Sequence, residues 1–131
     1  VYLDDMKQQR RLIDSALFAH YGLNFEVPNL TDMEQSLFVA YAESVDDGEA
    51  QSLAIAKGRD LPILTDDVAG IKLALREGIH LRTTIGLVRA WSTSQSSIEV
   101  RKVLNKIEKR GRYRPPTDHP DYGWYLAVNT E

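Results

Sequence analysis

Two hydrophobic periods, one near 3.6 residues and one near 2, take turns along this chain. After Met6, Ile13, Ala16, Leu17 and His20 recur at helical spacing, and Gly22 sits where a left-handed stop is favoured. A helix over about residues 6–21 is expected. Leu23, Phe25 and Val27 then alternate with polar Asn24 and Glu26, the period of a half-buried strand, which Pro28 closes. Thr31 stands three residues before Glu34, a capping-box spacing ahead of Met33, Leu37, Phe38 and Tyr41, so a helix is expected to run to about residue 44.

The middle of the chain repeats this alternation at closer intervals. Asp46 or Asp47 can cap a helix starting near Glu49, whose Ala50, Leu53, Ala54 and Ala56 are small or apolar and which Gly58 can end. Leu61, Ile63 and Leu64 form a short apolar run suited to a buried strand. Val68, Ile71, Ala74 and Leu75 mark the next helix, with Gly78 as its stop, and Ile79 to Thr84 reads as a further strand. Ile85, Leu87, Val88 and Trp91 open another helix, which should bury Trp91, and Ser92 to Ser97 is a polar linker. Ser96 and Glu99 repeat the capping spacing ahead of Val100, Val103, Leu104 and Ile107. Strands alternating with helices predict an α/β domain with a mostly parallel sheet.

Composition narrows the classes. The 131 residues suit one domain core, and no apolar run approaches the roughly 20 residues of a membrane helix. The absence of cysteine excludes a disulfide scaffold, thiol chemistry and cysteine-ligated zinc, and is compatible with the cytoplasm. The net charge of −3 conceals a division: residues 1–67 carry 13 acidic against 5 basic side chains, whereas residues 68–131 carry 6 against 11. An acidic cluster beside a basic surface suits a metal site next to an anionic polymer; solvated helix faces are the plainer reading.

Topology brings several acids together. In a β-α-β unit a helix N-terminus and the C-terminal end of the following strand share one sheet edge, so Glu49 should approach Asp66 and Asp67. Thr65, Thr83 and Thr84 belong to the same edge, where open α/β sheets bind ligands. Gathered carboxylates repel unless a cation compensates, and oxygen-only ligation suits Mg2+ or Mn2+. Scattered His20, His80 and His119 argue against zinc. Helix capping by Asp46, Asp47, Asp66 and Asp67 is the structural alternative.

The run Asp46-Asp47-Gly48-Glu49-Ala50, then Leu64-Thr65-Asp66-Asp67, a helix, Gly78-Ile79 and Thr83-Thr84 resembles the C-terminal half of PIN-domain proteins, over roughly residues 37–91. The resemblance implies a three-layer α/β/α fold and a metal-dependent ribonuclease, in many members the toxin of a toxin–antitoxin pair whose antitoxin blocks the site. Carried over by position, Glu49 and Asp67, with Asp66 as competitor, are the implied catalytic and metal-binding acids. Asp47, Thr65 and Thr84 are the implied supporting residues. The family pattern also has an Asp ending a first strand and an acid on a later helix. Val1 to Asp4 is expected to be the tail of that helix, with the first strand missing and the domain, residues 1–131, N-terminally incomplete. Exposed strand edges then favour a homodimer.

Arg101, Lys102, Lys106, Lys109, Arg110, Arg112 and Arg114 form a basic stretch interrupted by Glu108 alone. It can hold an RNA backbone, or single-stranded nucleic acid generally, with Tyr113, Tyr122, Trp124 and Tyr125 close enough to stack bases. Equally, the cations favour a helix C-terminus and the Pro- and aromatic-rich tail of about residues 111–131 wraps back over the sheet or a partner. A catalytically incomplete RNA- or protein-binding module is the alternative function. A receiver-like or nucleotide-binding domain is disfavoured because no Gly-rich phosphate loop is present.

Overall fold

The computed structural model describes residues 2–4, 10–12, 15–24, 26 and 28–130. Its elements in chain order are β1 (Tyr2–Asp4), β2 (Arg10–Leu12), α1 (Ser15–His20), α2 (Asp32–Tyr41), α3 (Asp47–Arg59), β3 (Ile63–Leu64), α4 (Val68–Arg76), β4 (Leu81–Arg82), α5 (Thr84–Ser92), α6 (Ser97–Lys109) and α7 (Tyr122–Thr130). The result is an α/β fold whose strands form two small two-stranded sheets, β1–β2 antiparallel and β3–β4 parallel.

Four of the expected helices form where their caps predict. Thr31 accepts from the Glu34 amide while the Thr31 amide donates to Glu34, closing the capping box of α2. Such a cap contributes about 1 kcal/mol. Asp46, rather than Asp47, caps α3 through the Glu49 amide at 2.9 Å. Asp67 caps α4, Gly78 follows that helix at φ +67°, and Ser96 caps α6.

The N-terminal expectations change most. Tyr2–Asp4 is a strand rather than a helix tail, and it pairs with Arg10–Leu12; of the helix expected over 6–21, Ser15–His20 is helical among the described residues. Arg10 and Arg11, within the paired strand, add no apolar residue to the expected helical face. Residues 5–9, 13 and 14 lie outside the described residues. Leu23, Asn24 and Glu26 form no strand, and Phe25 and Val27 also lie outside the described residues.

Gly58 does not end α3. The helix continues to Arg59, and Asp60 takes the left-handed stop at φ 53° and ψ 45°. Gly58 instead admits a neighbouring helix, because a Cβ there would lie 2.7 Å from Glu34 Cγ. Through this gap Glu34, 1% exposed, reaches Arg59, whose Nε donates to Oε1 at 2.7 Å and Nη2 to Oε2 at 3.1 Å. The second arm also donates to the Asn29 carbonyl at 3.0 Å, tying the loop before α2 to the end of α3. These bonds hold Glu34 well below its ordinary value, at about 2.

Two hydrophobic clusters follow. Tyr41, Leu53, Ala54, Ile63, Leu73 and Ile79 gather α2, α3 and α4 over one face of the β3–β4 pair. Fully burying a side chain such as Leu53 is worth about 2 kcal/mol. Ile85, Val88, Val100, Leu104 and Tyr125 join α5, α6 and α7 into the second. Helix α7 replaces the wrapping tail expected there, and Trp91, expected in the core, is 40% exposed.

Candidate metal centre and basic surface

Short connections at the C-terminal end of the parallel strands set the site. Ile63 and Thr65 donate to the His80 and Arg82 carbonyls at 2.8 and 3.0 Å, which fixes the register of the two strand ends. Beyond β3, the Asp67 amide donates to Thr65 Oγ1 at 3.1 Å, and Asp67 Oδ2 accepts from the Gly70 amide at 2.9 Å. Thr65 therefore holds the backbone of Asp67, and Asp67 holds the first turn of α4.

Glu49 reaches the same turn from α3. A Cβ added at buried Gly70 would collide with the Glu49 carboxylate, its Cδ 2.7 Å away and Cγ 3.2 Å away. Gly70 thus has the Asp67 carboxylate on its amide and the Glu49 carboxylate against its Cα. The convergence expected from topology is present, with a helix N-terminus beneath it that favours negative charge.

Asp66 turns elsewhere. Its Oδ1 accepts from the Thr84 amide at 2.9 Å and its Oδ2 accepts from the Thr84 hydroxyl, so both oxygens are engaged at the start of α5. Thr83 caps that helix through the Gly86 amide at 2.9 Å. Asp66 and Asp67, adjacent in sequence, serve two different helices. Asp47 is exposed on the first turn of α3.

Glu49 and Asp67 supply oxygen donors alone, which suits a hard divalent ion that keeps much of its water shell and binds through one or two carboxylates plus a phosphate. Among the described residues no group of three or more His, Cys, Asp or Glu is placed to hold a metal. Two carboxylates are by themselves an incomplete donor set for such an ion.

The basic stretch divides between a helix face and a loop. Lys102, Lys106 and Lys109 are exposed and spaced by four and three residues, so they form one stripe opposite Val100 and Leu104. Lys102 also pairs with Glu99 at 2.8 Å. Arg101 is half-buried, while Arg110, Arg112 and Arg114 are exposed beyond the helix, Arg112 at φ 50°. Between the last two, Tyr113 is pushed up from its ordinary value by burial and by the charge of Asp66.

The aromatics considered for base stacking belong instead to the second cluster. Tyr125 is 2% exposed and donates to Glu108 at 2.9 Å, and Tyr113, Tyr122 and Trp124 pack around it. The sequence reading also missed three pairings: Glu34 with Arg59, Asp121 with Arg89 at 2.8 Å, and Glu49 with Gly70. The capping box marked Glu34 but not its second partner, and nothing in the sequence distinguishes Gly70 from an ordinary helix glycine.

The acids after a parallel strand and at the start of the preceding helix are compatible with a PIN-type α/β protein, a family of nuclease type in general. Residues 3–119 match the family described as DUF3368: PIN domain, and the chain belongs to that family. PIN domains are in general dependent on divalent metal. No curated protein and no solved structure gives a significant match. Among the described residues no helix is long and apolar enough to cross a membrane.

Proposed function

We propose that the protein is a metal-dependent ribonuclease of three-layer α/β/α architecture, with Glu49 and Asp67 holding Mg2+ or Mn2+. The observation that carries this reading is the meeting of both carboxylates at Gly70. The ion, when bound, lowers the pKa of a water and stabilises charge on the phosphate being cleaved. Glu49 and Asp67 orient that centre, Thr65 fixes the Asp67 backbone, and Asp66 with Thr84 fixes the adjoining helix. Arg112, Arg114 and the Lys102–Lys106–Lys109 stripe hold the RNA backbone, with affinity that falls as salt rises. An antitoxin covering the acids belongs to the same reading. So does a homodimer, for which Leu64, 56% exposed on a two-stranded parallel sheet, offers an apolar surface.

Cleavage of single-stranded RNA with and without Mn2+ tests the reading. Metal-dependent cleavage should be lost in both Glu49→Gln and Asp67→Asn, with the folded structure retained. Unchanged cleavage in either variant sinks the assignment. A second reading, a binding module without catalysis, draws on the lack of a three-acid group among the described residues. RNA retention in a gel shift without metal-dependent cleavage would select it.

A further inference from the structure

Two helix starts at the C-terminal end of the parallel strands are built alike. In α4 the capping Asp67 takes the amide of Gly70, and the Glu49 carboxylate lies where a Gly70 Cβ would be. In α5 the capping Thr83 takes the amide of Gly86, and a Cβ there would stand 3.1 Å from Asp121 Oδ2 and 3.0 Å from Thr83 Oγ1. Parallel pairing of β3 with β4 sets the two starts side by side, and Asp66 ties them by bonding Thr84. Among the described residues Glu49 meets no basic side chain, whereas Asp121 holds one. Arg89 reaches back along α5, as helical side chains do, and its Nη1 donates to Asp121 Oδ1 at 2.8 Å. Asp121 is fixed from behind, its amide donating to Nδ1 of buried His119 and its carbonyl accepting from the Tyr125 amide. The Arg89 side chain stays 55% exposed, and among the described residues Nη1 is its one nitrogen with an acceptor.

We propose that Arg89 is a phosphate-binding residue of the nucleic-acid site, with Asp121 as its positioning residue; the proposal rests on the nuclease reading. Glycine in a helix costs about as much stability as an exposed ion pair returns, so bracing α5 against α7 does not account for an arrangement that needs Gly86 to admit Asp121. The likeness of the two starts does account for it. Glu49 and Asp67 offer an ion-binding pair at one start and Asp121 holds a guanidinium at the next, so phosphates of a single strand meet positive charge at both. The guanidinium suits this role because one arm stays on the carboxylate while Nε and Nη2, which lie on one edge of the fork, donate to two oxygens of the same phosphate. A neutral ligand leaves both donors unmatched. The lysines of α6 lie on another helix and add charge without a fork, so they hold the polymer but do not set where its phosphates fall at this edge.

The test is fluorescence anisotropy of an end-labelled single-stranded RNA with the whole chain in EDTA, over a salt series. Arg89→Gln should weaken the RNA about fivefold and lower the slope of log affinity against log salt by about 0.7, the share of one phosphate. Arg89→Lys keeps the charge and the pair with Asp121 but not the fork, so it should restore the slope and only part of the affinity. In an Asp121→Asn background Arg89→Gln should cost less than about twofold, because the guanidinium is no longer held in place. Unchanged affinity and slope in Arg89→Gln overturn the proposal, and a lower melting temperature alongside them would leave the pair as a brace between helices. A loss of affinity with an unchanged slope also overturns it, since no phosphate contact has gone. Saturable binding of an aspartate-rich peptide that depends on Arg89, with no binding of RNA, would assign the guanidinium to a protein partner and overturn it too. Because EDTA removes any ion, absence of metal-dependent cleavage refutes the nuclease reading without altering these affinities. Cleavage alongside RNA affinity indifferent to Arg89 removes this residue's role alone.

Discussion

Asp66 and Thr84, 18 positions apart, are joined twice: the Thr84 amide and hydroxyl each donate to a different oxygen of the same carboxylate. The bond bridges the end of β3 and the start of α5, and it separates the role of Asp66 from that of Asp67. Asp66→Asn keeps an oxygen for the amide and an NH2 for the hydroxyl, so metal-dependent RNA cleavage should fall by about tenfold or less, as for a weakened supporting hydrogen bond. Asp67→Asn, which can still cap α4, should reduce cleavage more than about 100-fold. Equal losses in the two variants, measured as kcat/KM under the same Mn2+ concentration, would count against this division.

Gly70→Ala should separate stability from metal binding. Alanine in place of a helical glycine ordinarily gains up to about 1 kcal/mol. Here the three atoms nearest the new methyl all belong to the flexible Glu49 side chain, which can swing aside, so thermal stability should hold or rise. Displacing that carboxylate should weaken Mn2+ binding by about tenfold or more, the scale of a disturbed metal environment. Isothermal titration beside a melting curve checks both; a fall in melting temperature with unchanged Mn2+ affinity contradicts the geometry.

Acid stability should report Glu34. Its folded value of about 2 lies below the ordinary 4.5, so its contribution is fully present above the ordinary value and is lost as pH falls through about 2. Glu34→Gln should therefore lower the melting temperature by several degrees at pH 7 and flatten the wild-type decline in that acid window. A variant whose decline below pH 4.5 matches the wild type would place the acid sensitivity elsewhere.

Charge reversal along α6 should act through RNA affinity. Replacing Lys106 and Lys109 by Glu should weaken single-stranded RNA and reduce the slope of log affinity against log salt by about 0.7 for each phosphate no longer neutralised. Unchanged affinity and slope in a filter-binding series would show that the stripe is only solvated surface.

The legible parts of this fold were those set by neighbours in sequence. Thr31, Asp46, Asp67 and Ser96 each cap a helix with their own side chain, and the strand–helix alternation around Ile63 and Leu81 carries the approach of Glu49 to Asp67. What escaped depends on distant partners. Tyr2–Asp4 becomes a strand by pairing with Arg10–Leu12, and Gly58 stays helical because Glu34 needs its space. The Pro115–Pro120 stretch hid α7, whose apolar residues Tyr122, Tyr125 and Val128 pack on α5 and α6 as a helix rather than as a tail wrapped over the sheet. Asp66 and Asp67 could not be ranked from sequence, since each follows the same strand and each is a sound helix-capping residue.

The two hydrophobic clusters also imply two tiers of local opening. The acids at Gly70 are built on α3 and α4, whereas the lysine stripe is built on α6, within the cluster of α5 and α7. Partial unfolding that releases the second cluster would loosen the lysine stripe while leaving the carboxylate pair in place. The amides of α6 and those of α3 and α4 would then have separate protection factors, with the Thr84 amide at the seam between them.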